Sequence, residues 1–568
     1  MTAIIITQGW IKPRSFTWLI LISFIFLLIT IGTTSFYQFP PSALYYVKSL
    51  PIYYWAGIGV TLFAVVLSYK IKINDKVKLI PHLLLAAYLF ALPSFTYENP
   101  RFMDVYDHGT GALWILNRGE IGIDHSYSKD YPLAFILMAS TLLITNTNPA
   151  AFLQLYQAFL PLLMIVLIYV LARGLNPKYA LYTPLAFNAI LFQDQGHFSP
   201  QSLALALYVI LWLYLIRTWL NKDNNRETVI ITVITLLAIN MSNPTTSYFL
   251  LTNLVTLLLL SMLLFRRLVS AKYNTKILPV FLIHVIVVFA WSIYGAEGLG
   301  ISKIVDKIED DLNRSAHSTY ALPLNPDSSY VGVVVTNAIE TLFIIISSIV
   351  FFIFLFKYSK HEMKTLTIIF GLIVGSLIVT PLALFQSGTY VERVLMFTAI
   401  PWSILFASFM TAEIKNKWYT GFRTAAFAML FVFILLIPIS KYGSEPTTYF
   451  SSSEIYLADS LTKNSTDSTV LTLRTGKHIF EYFGAYNNNE VKTGQIVPKF
   501  SVIDQRLFEE KLDAKIHQEE NLKVALTNME RNVYSLKYVS DEDVYMDYLQ
   551  ERFNLVANNG AQIYSAPP

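Results

Sequence analysis

The chain has 568 residues, of which 54% are hydrophobic and only 14% charged, and its mean hydropathy is +0.48. Soluble proteins carry roughly 25% charged residues, so this composition excludes an ordinary soluble globular chain. A net charge of +4 is too small to predict nucleic-acid binding, and the lack of cysteine rules out disulfides, thiolate metal sites and a cysteine nucleophile.

A helix needs about 20 mostly apolar residues to cross the hydrocarbon core, and the sequence offers about 13 candidate spans. The first, Phe16–Thr33, has no small-residue cleavage site after it and reads as an uncleaved signal anchor. Spans near 53–69 and 79–93 follow, and then a long polar loop over 94–131. The next apolar stretch, Tyr131–Ile144, opens on Tyr131-Pro132 and is too short to cross, so an interfacial or re-entrant segment is predicted. Further spans are expected near 151–171, 180–192, 201–217, 228–240, 246–265 and 277–294. A second long loop covers 295–336, and the last spans lie near 337–356, 365–384, 394–410 and 420–439. Within the second loop, 301–312 has the apolar spacing of an amphipathic surface helix.

Lys and Arg collect in the loops that share the side of the N-terminus, for example Lys70, Lys72, Lys76 and Lys78, or Arg266, Arg267, Lys272 and Lys276. That bias puts the N-terminus in the cytoplasm, and an odd number of spans puts the C-terminus outside the cell. Counting 132–144 as a full span would invert every later loop and spoil the bias. From about residue 440 the chain turns polar. Glu454–Leu461 reads as helix, Thr469–Leu473 as strand, Asp504–His517 as a charged helix and Val533–Val539 as strand. Phe553–Val556 and Gln562–Ser565 flank Asn559-Gly560, a hairpin signal. The expected fold is a polytopic α-helical membrane protein over 1–439, with a small extracytoplasmic α/β domain over 440–568.

Ionisable groups close to membrane depth are costly and point to function. The first long loop holds Asp104, Asp107 and His108; a helix starting at Asp104 places Asp104 and His108 on one face. Asp124, His125 and Asp130 follow in the same loop. A short turn on the same side carries Asp194 and His197, another holds Ser242-Asn243-Pro244, and a fourth brings Tyr390, Glu392 and Arg393 to the entrance of a span. Each has a plainer reading: Asp104 or Asp107 as a helix cap, the histidines as hydrogen-bonded loop residues, Arg393 as a headgroup contact paired with Glu392.

The acidic loop with Asp104-Val105-Tyr106-Asp107-His108, followed by Tyr131-Pro132 opening a short apolar segment, resembles the GT-C superfamily of membrane glycosyltransferases. The Asp194 turn is similar to that family's second acidic outer turn, and Glu392-Arg393 to its arginine-bearing entrance to a late span. The likeness lies in the order of elements along the whole chain. It implies transfer of a sugar, with inversion, from a polyprenyl-phosphate-linked donor in the membrane lipid to a lipid, glycan or protein acceptor. Under it, Asp104 is the general base and Asp107 or His108 orients the base or the acceptor. Arg393, beside Tyr390 and Glu392, holds the donor phosphate, and Asp194 and His197 line the opposite wall.

The acidic loop here follows the third span rather than the first, and no two tryptophans are adjacent, so the Trp-Trp-Asp element of oligosaccharyltransferases is missing. Asp194 has no second acid two residues on, which leaves a divalent metal cofactor undetermined. A polymerase or ligase of surface polysaccharide, or a flippase or transporter of lipid-linked sugars, would share much of this layout. A transporter more often carries internal repeats, and none is evident. Asn-x-Ser/Thr triplets occur at Asn240, Asn313 and Asn464.

Overall fold

A computed structural model describes residues 13–34, 45–121, 126–189, 196–221, 226–263, 271–295, 363–378, 389–412, 417–442, 450–464, 469–472, 477–488, 492–495, 522–527, 554–558 and 561–565, with isolated positions between 339 and 349. The chain begins with α1 (Pro13–Thr33), a short α2 (Tyr45–Ser49), α3 (Ile52–Ser68) and α4 (Asp75–Ala86), which passes through a π turn at Ala87–Ala91 into α5 (Pro93–Thr96). Then come α6 (Asp104–Arg118), α7 (Ser126–Asp130), α8 (Leu133–Thr145), α9 (Pro149–Leu175) and α10 (Tyr182–Ala189). The remaining bundle helices are α11 (Pro200–Asn221), α12 (Arg226–Ser242), α13 (Pro244–Leu263), α14 (Ala271–Ala290), α15 (Met363–Leu377), α16 (Thr389–Thr411) and α17 (Lys417–Tyr442).

Among the described residues six helical segments are long and apolar enough to cross a membrane: Pro13–Thr33, Pro149–Leu175, Pro200–Trp219, Pro244–Met262, Ile277–Gly295 and Lys417–Tyr442. Each coincides with an expected span. Shorter apolar helices occupy Ile52–Ser68, Leu133–Thr145, Thr367–Leu377 and Met396–Thr411. The expected span at 180–192 is seen only as Tyr182–Ala189, and 337–356 falls largely outside the described residues. The bundle is a multi-pass membrane architecture. Its helices are apolar on the outside as well as the inside, with Phe159, Ile286 and Val432 exposed on outer faces, as lipid rather than water requires.

Local chemistry explains several helix starts. Asn148 accepts from the backbone N–H groups of Ala150 and Ala151, and Pro149 takes the first helical position of α9, where its missing donor costs nothing. Asn243 does the same for α13, its Oδ1 accepting from Thr246 N at 3.0 Å ahead of Pro244. In the bundle, Tyr54, Tyr88, Ile168, Trp212, Phe397 and Ile434 belong to one large core.

Small residues let two bundle helices touch. A Cβ on Gly375 of α15 would lie 2.6 Å from Asn253 Cα and 3.0 Å from Asn253 N on α13, and Gly371 one turn earlier meets Leu257. Asn253 in turn donates to Tyr208 OH at 2.8 Å, tying α11 to the same contact. Such small-residue faces are how helices associate when no water drives them together. Gly375→Ala is therefore expected to destabilise the bundle by ~1–3 kcal/mol, because backbone atoms cannot rotate out of the way. Denaturation of the purified variant in detergent checks this; an unchanged midpoint would mean that α13 and α15 do not approach so closely.

The C-terminal residues form α18 (Ser452–Asn464), β1 (Thr469–Thr472), α19 (Lys477–Tyr486), β2 (Lys492–Gln495), β3 (Leu522–Thr527), β4 (Asn554–Asn558) and β5 (Ala561–Ser565). The strands make one mixed sheet in the order β2-β1-β3-β5-β4. β1 runs parallel to β2 and β3, while β5 is antiparallel to β3 and β4. All four residues of β1 are buried, as a central parallel strand demands. α18 opens with a capping box: Ser451 N and Oγ both donate to Glu454 Oε2, at 2.7 and 2.6 Å. The hairpin strands around Asn559-Gly560 pair as expected, whereas 504–517 and 533–539 lie outside the described residues.

A second core joins this C-terminal layer to the loop helices. Val105 and Tyr106 of α6, Phe135 and Met138 of α8, and Ile479 and Tyr482 of α19 all belong to it. The short apolar segment expected to lie at the interface thus packs as α8 with α6 and the C-terminal layer.

Candidate functional site

The site is built on α6. Asp104 is its first residue and is exposed, and Asp107 and His108 follow within the next turn, so the helix predicted from their spacing is present. Gly119, at φ 72°, ends it in the left-handed conformation that favours glycine. His108 points into an aromatic cluster. Its ring centroid is 6.3 Å from Tyr127, 6.1 Å from Phe135 and 6.5 Å from His197, and the two imidazoles lie almost parallel, at 7°. Tyr127 is fixed by Asn243, whose Nδ2 donates to the phenol oxygen at 2.9 Å. Two loops singled out in the sequence therefore meet through His108 and His197, while the Asn243 turn serves as a cap and a brace.

Two cations stand at the same end of the bundle. Arg101 is only 4% exposed; its Nη2 donates to Lys441 O at 2.7 Å, and its guanidinium lies 4.2 Å from the Phe102 ring centroid and 4.9 Å from that of Tyr442. Phe102 reaches this position at φ 75°, a conformation costing a bulky residue ~1–3 kcal/mol. Its ring also lies 5.1 Å from His197. Lys441 is buried at the end of α17, 4.8 Å from the Phe90 ring, and its Nζ is 4.0 Å from where a Cβ on Gly196 would stand. Positive charge is thus gathered at the turn of Gly196 and His197.

Asp107 faces elsewhere. Its Oδ1 is 3.2 Å from Nδ1 of His478 on α19, and Glu481 Oε2 is 3.6 Å from the same nitrogen. Burial lowers the pKa of His478, but the carboxylates, Asp107 before Glu481, more than offset this and push it up to about 9. Thr493 Oγ1 of the next strand donates to the other oxygen, Glu481 Oε1, at 2.7 Å. Asn117 Nδ2 donates to Ala485 O at 2.6 Å, so α6 holds α19 at both ends.

The sequence reading missed Arg101, Lys441, His478 and Glu481 as site residues. Ile479, Tyr482, Phe483 and Tyr486 repeat at helical spacing and signal α19, but nothing local pairs it with α6. Asp124, His125 and Asp194 lie outside the described residues. Tyr390, Glu392 and Arg393 fall in the first turns of α16, and their side chains lie outside the described set. Asn240 is buried, and its amide donates to Leu236 O at 2.8 Å, which closes that triplet to glycosylation.

No family model matches the chain, and no curated protein matches it significantly. Solved structures do. The Archaeoglobus fulgidus oligosaccharyltransferase in its apo form superposes with a TM-score of 0.51 at 12% identity, over 79% of this chain and 69% of that one. The two chains share a fold, and it is the GT-C fold expected from the order of elements. ArnT from Cupriavidus metallidurans, solved bound to undecaprenyl phosphate, gives a TM-score of 0.44 at 10% identity over 87% of this chain and 99% of that one. At 12% identity the likeness to the oligosaccharyltransferase is one of fold.

Proposed function

We propose that this GT-C chain transfers a sugar, with inversion, from a polyprenyl-phosphate-linked donor to a lipid, glycan or protein acceptor on the extracytoplasmic face. The observation that carries the reading is the meeting of His108 and His197, from two separate loops, beside Arg101 and Lys441 and on the helix that begins at Asp104. A carboxylate, two imidazoles and two cations at one end of a membrane bundle suit a donor whose tail stays in lipid while its phosphate and sugar emerge. The scarcity of Lys and Arg in the loops of this end supports its facing outward.

In this reaction Asp104 takes the proton of the acceptor hydroxyl as that oxygen bonds to the anomeric carbon. The bond from that carbon to the phosphate oxygen breaks through an oxocarbenium-like state, and the polyprenyl phosphate leaves with the electron pair. Arg393, with Arg101 and Lys441 close to the His197 turn, supplies the positive charge for the departing phosphate. His108 orients the acceptor with His197 stacked beside it, and Asp194 is assigned to substrate binding. Tyr390 and Glu392 flank Arg393 on the donor side.

The test is incubation of the purified protein in nanodiscs with a panel of radiolabelled polyprenyl-phosphate sugars, membrane extract supplying acceptors. Sugar transfer is expected with at least one donor. Binding of the lipid with its sugar–phosphate bond intact throughout would overturn the reading in favour of transport.

A further inference from the structure

Asp107, His478 and Glu481 are the one group of three such side chains among the described residues whose ligand atoms all lie within 4.8 Å of one another. The contacts around Nδ1 of His478, 3.2 Å to Asp107 Oδ1 and 3.6 Å to Glu481 Oε2, do not have hydrogen-bond geometry. The two distances lie close to those between ligands of one small divalent ion. Two ligands each ~2.0–2.2 Å from one zinc ion, at the tetrahedral angle, stand about 3.3–3.6 Å apart. Octahedral magnesium, with bonds of ~2.0–2.1 Å at right angles, would bring them to about 3.0 Å. An imidazole nitrogen also suits zinc better than magnesium or calcium.

Glu481 is oriented for such a role. Thr493 occupies Oε1, which leaves Oε2 turned to the cluster. Metal ligands are commonly held by an outer hydrogen bond of this kind. The side chains are 13%, 30% and 26% exposed for His478, Asp107 and Glu481, so an ion has a way in and a fourth position stays open to water.

We infer that Asp107, His478 and Glu481 form a binding site for a zinc-like divalent ion, which joins the C-terminal layer to α6. The inference stands apart from the transfer reaction and is read without it. The full chain in detergent is stripped with a chelator and titrated with cobalt(II), whose visible ligand-field absorption reports coordination, and zinc is then added in competition. The native chain is expected to gain a tetrahedral cobalt band that zinc removes. His478→Gln and Glu481→Gln, each checked for unchanged circular dichroism and elution volume, are expected to weaken cobalt binding about tenfold or more. No band with the native chain up to millimolar cobalt would overturn the inference. So would equal cobalt affinity and an unchanged band in Glu481→Gln, the variant whose near-identical shape leaves the fold intact.

Discussion

Asp104→Asn is expected to lower sugar transfer by about a hundredfold to ten-thousandfold, the usual worth of a positioned general base, while the protein stays folded. Asp104 is exposed at the start of α6, and replacing an exposed carboxylate by its amide shifts stability by no more than about 0.5 kcal/mol. Loss of rate therefore cannot be laid to unfolding. The measurement is the initial rate of transfer from the donor found active with the native chain, with elution volume as the control. Near-full activity in the purified variant would remove Asp104 from the base role. Asp107 does not offer so clean a test. Its Oδ1 sits against His478, so Asp107→Asn disturbs the join between layers along with any chemistry.

Gly109→Val is expected to loosen the C-terminal layer from α6. A Cβ at Gly109 would stand 2.7 Å from Tyr482 Cε2 and 3.0 Å from its Cδ2, with Leu153 Cδ1 behind at 3.4 Å. Tyr482 has little freedom to retreat, since it is buried and packs edge-on against Tyr106 at 5.3 Å and 87°. Two effects compete. Replacing a helical glycine gains up to ~1 kcal/mol of helix propensity for alanine, and less for a β-branched residue. Overpacking costs ~1–3 kcal/mol, so with valine the clash wins and with alanine the two nearly cancel. The net loss is smaller than the clash alone by the propensity gained, and it multiplies the undocked population by roughly 3- to 80-fold. Limited proteolysis reads this as faster release of the fragment that follows α17. A release rate equal to that of the native chain would mean that Tyr482 does not seat against Gly109.

Much of the bundle was legible because long apolar runs and terminal asparagine or proline residues leave local marks. Asn148-Pro149 and Asn243-Pro244 announce helix starts, and Tyr131-Pro132 announces the short apolar helix α8. The start of α6 at Asp104 and the hairpin around Asn559-Gly560 were equally local. What escaped was pairing at a distance. Asn117 meets Ala485 across 368 positions, and Arg101 meets Lys441 across 340. No periodicity encodes such contacts. Asp107 stands out in sequence for its neighbours Asp104 and His108, but its partner in space is His478, on a helix that nothing local ties to α6. Lys441 stands just past the apolar run 420–439 and carries no local mark; only the fold brings its ammonium to the Gly196 turn.

The second core has a consequence for biogenesis. Many of its residues come from α6, α8 and α9, made early in translation, and from α18, β1, α19 and β3, made late. While the ribosome is still threading the later helices, Val105, Tyr106 and Phe135 have only one another and α9 to pack on, and the flank of α6 that α19 later covers faces solvent or lipid headgroups. Closing so long a loop is slow, and exposed apolar surface is what chaperones and proteases act on during the wait. The junction between the first loop and the tail therefore doubles as a completeness check: a chain truncated before residue 477 lacks the helix that covers α6, and the cell's quality control would see it as unfinished.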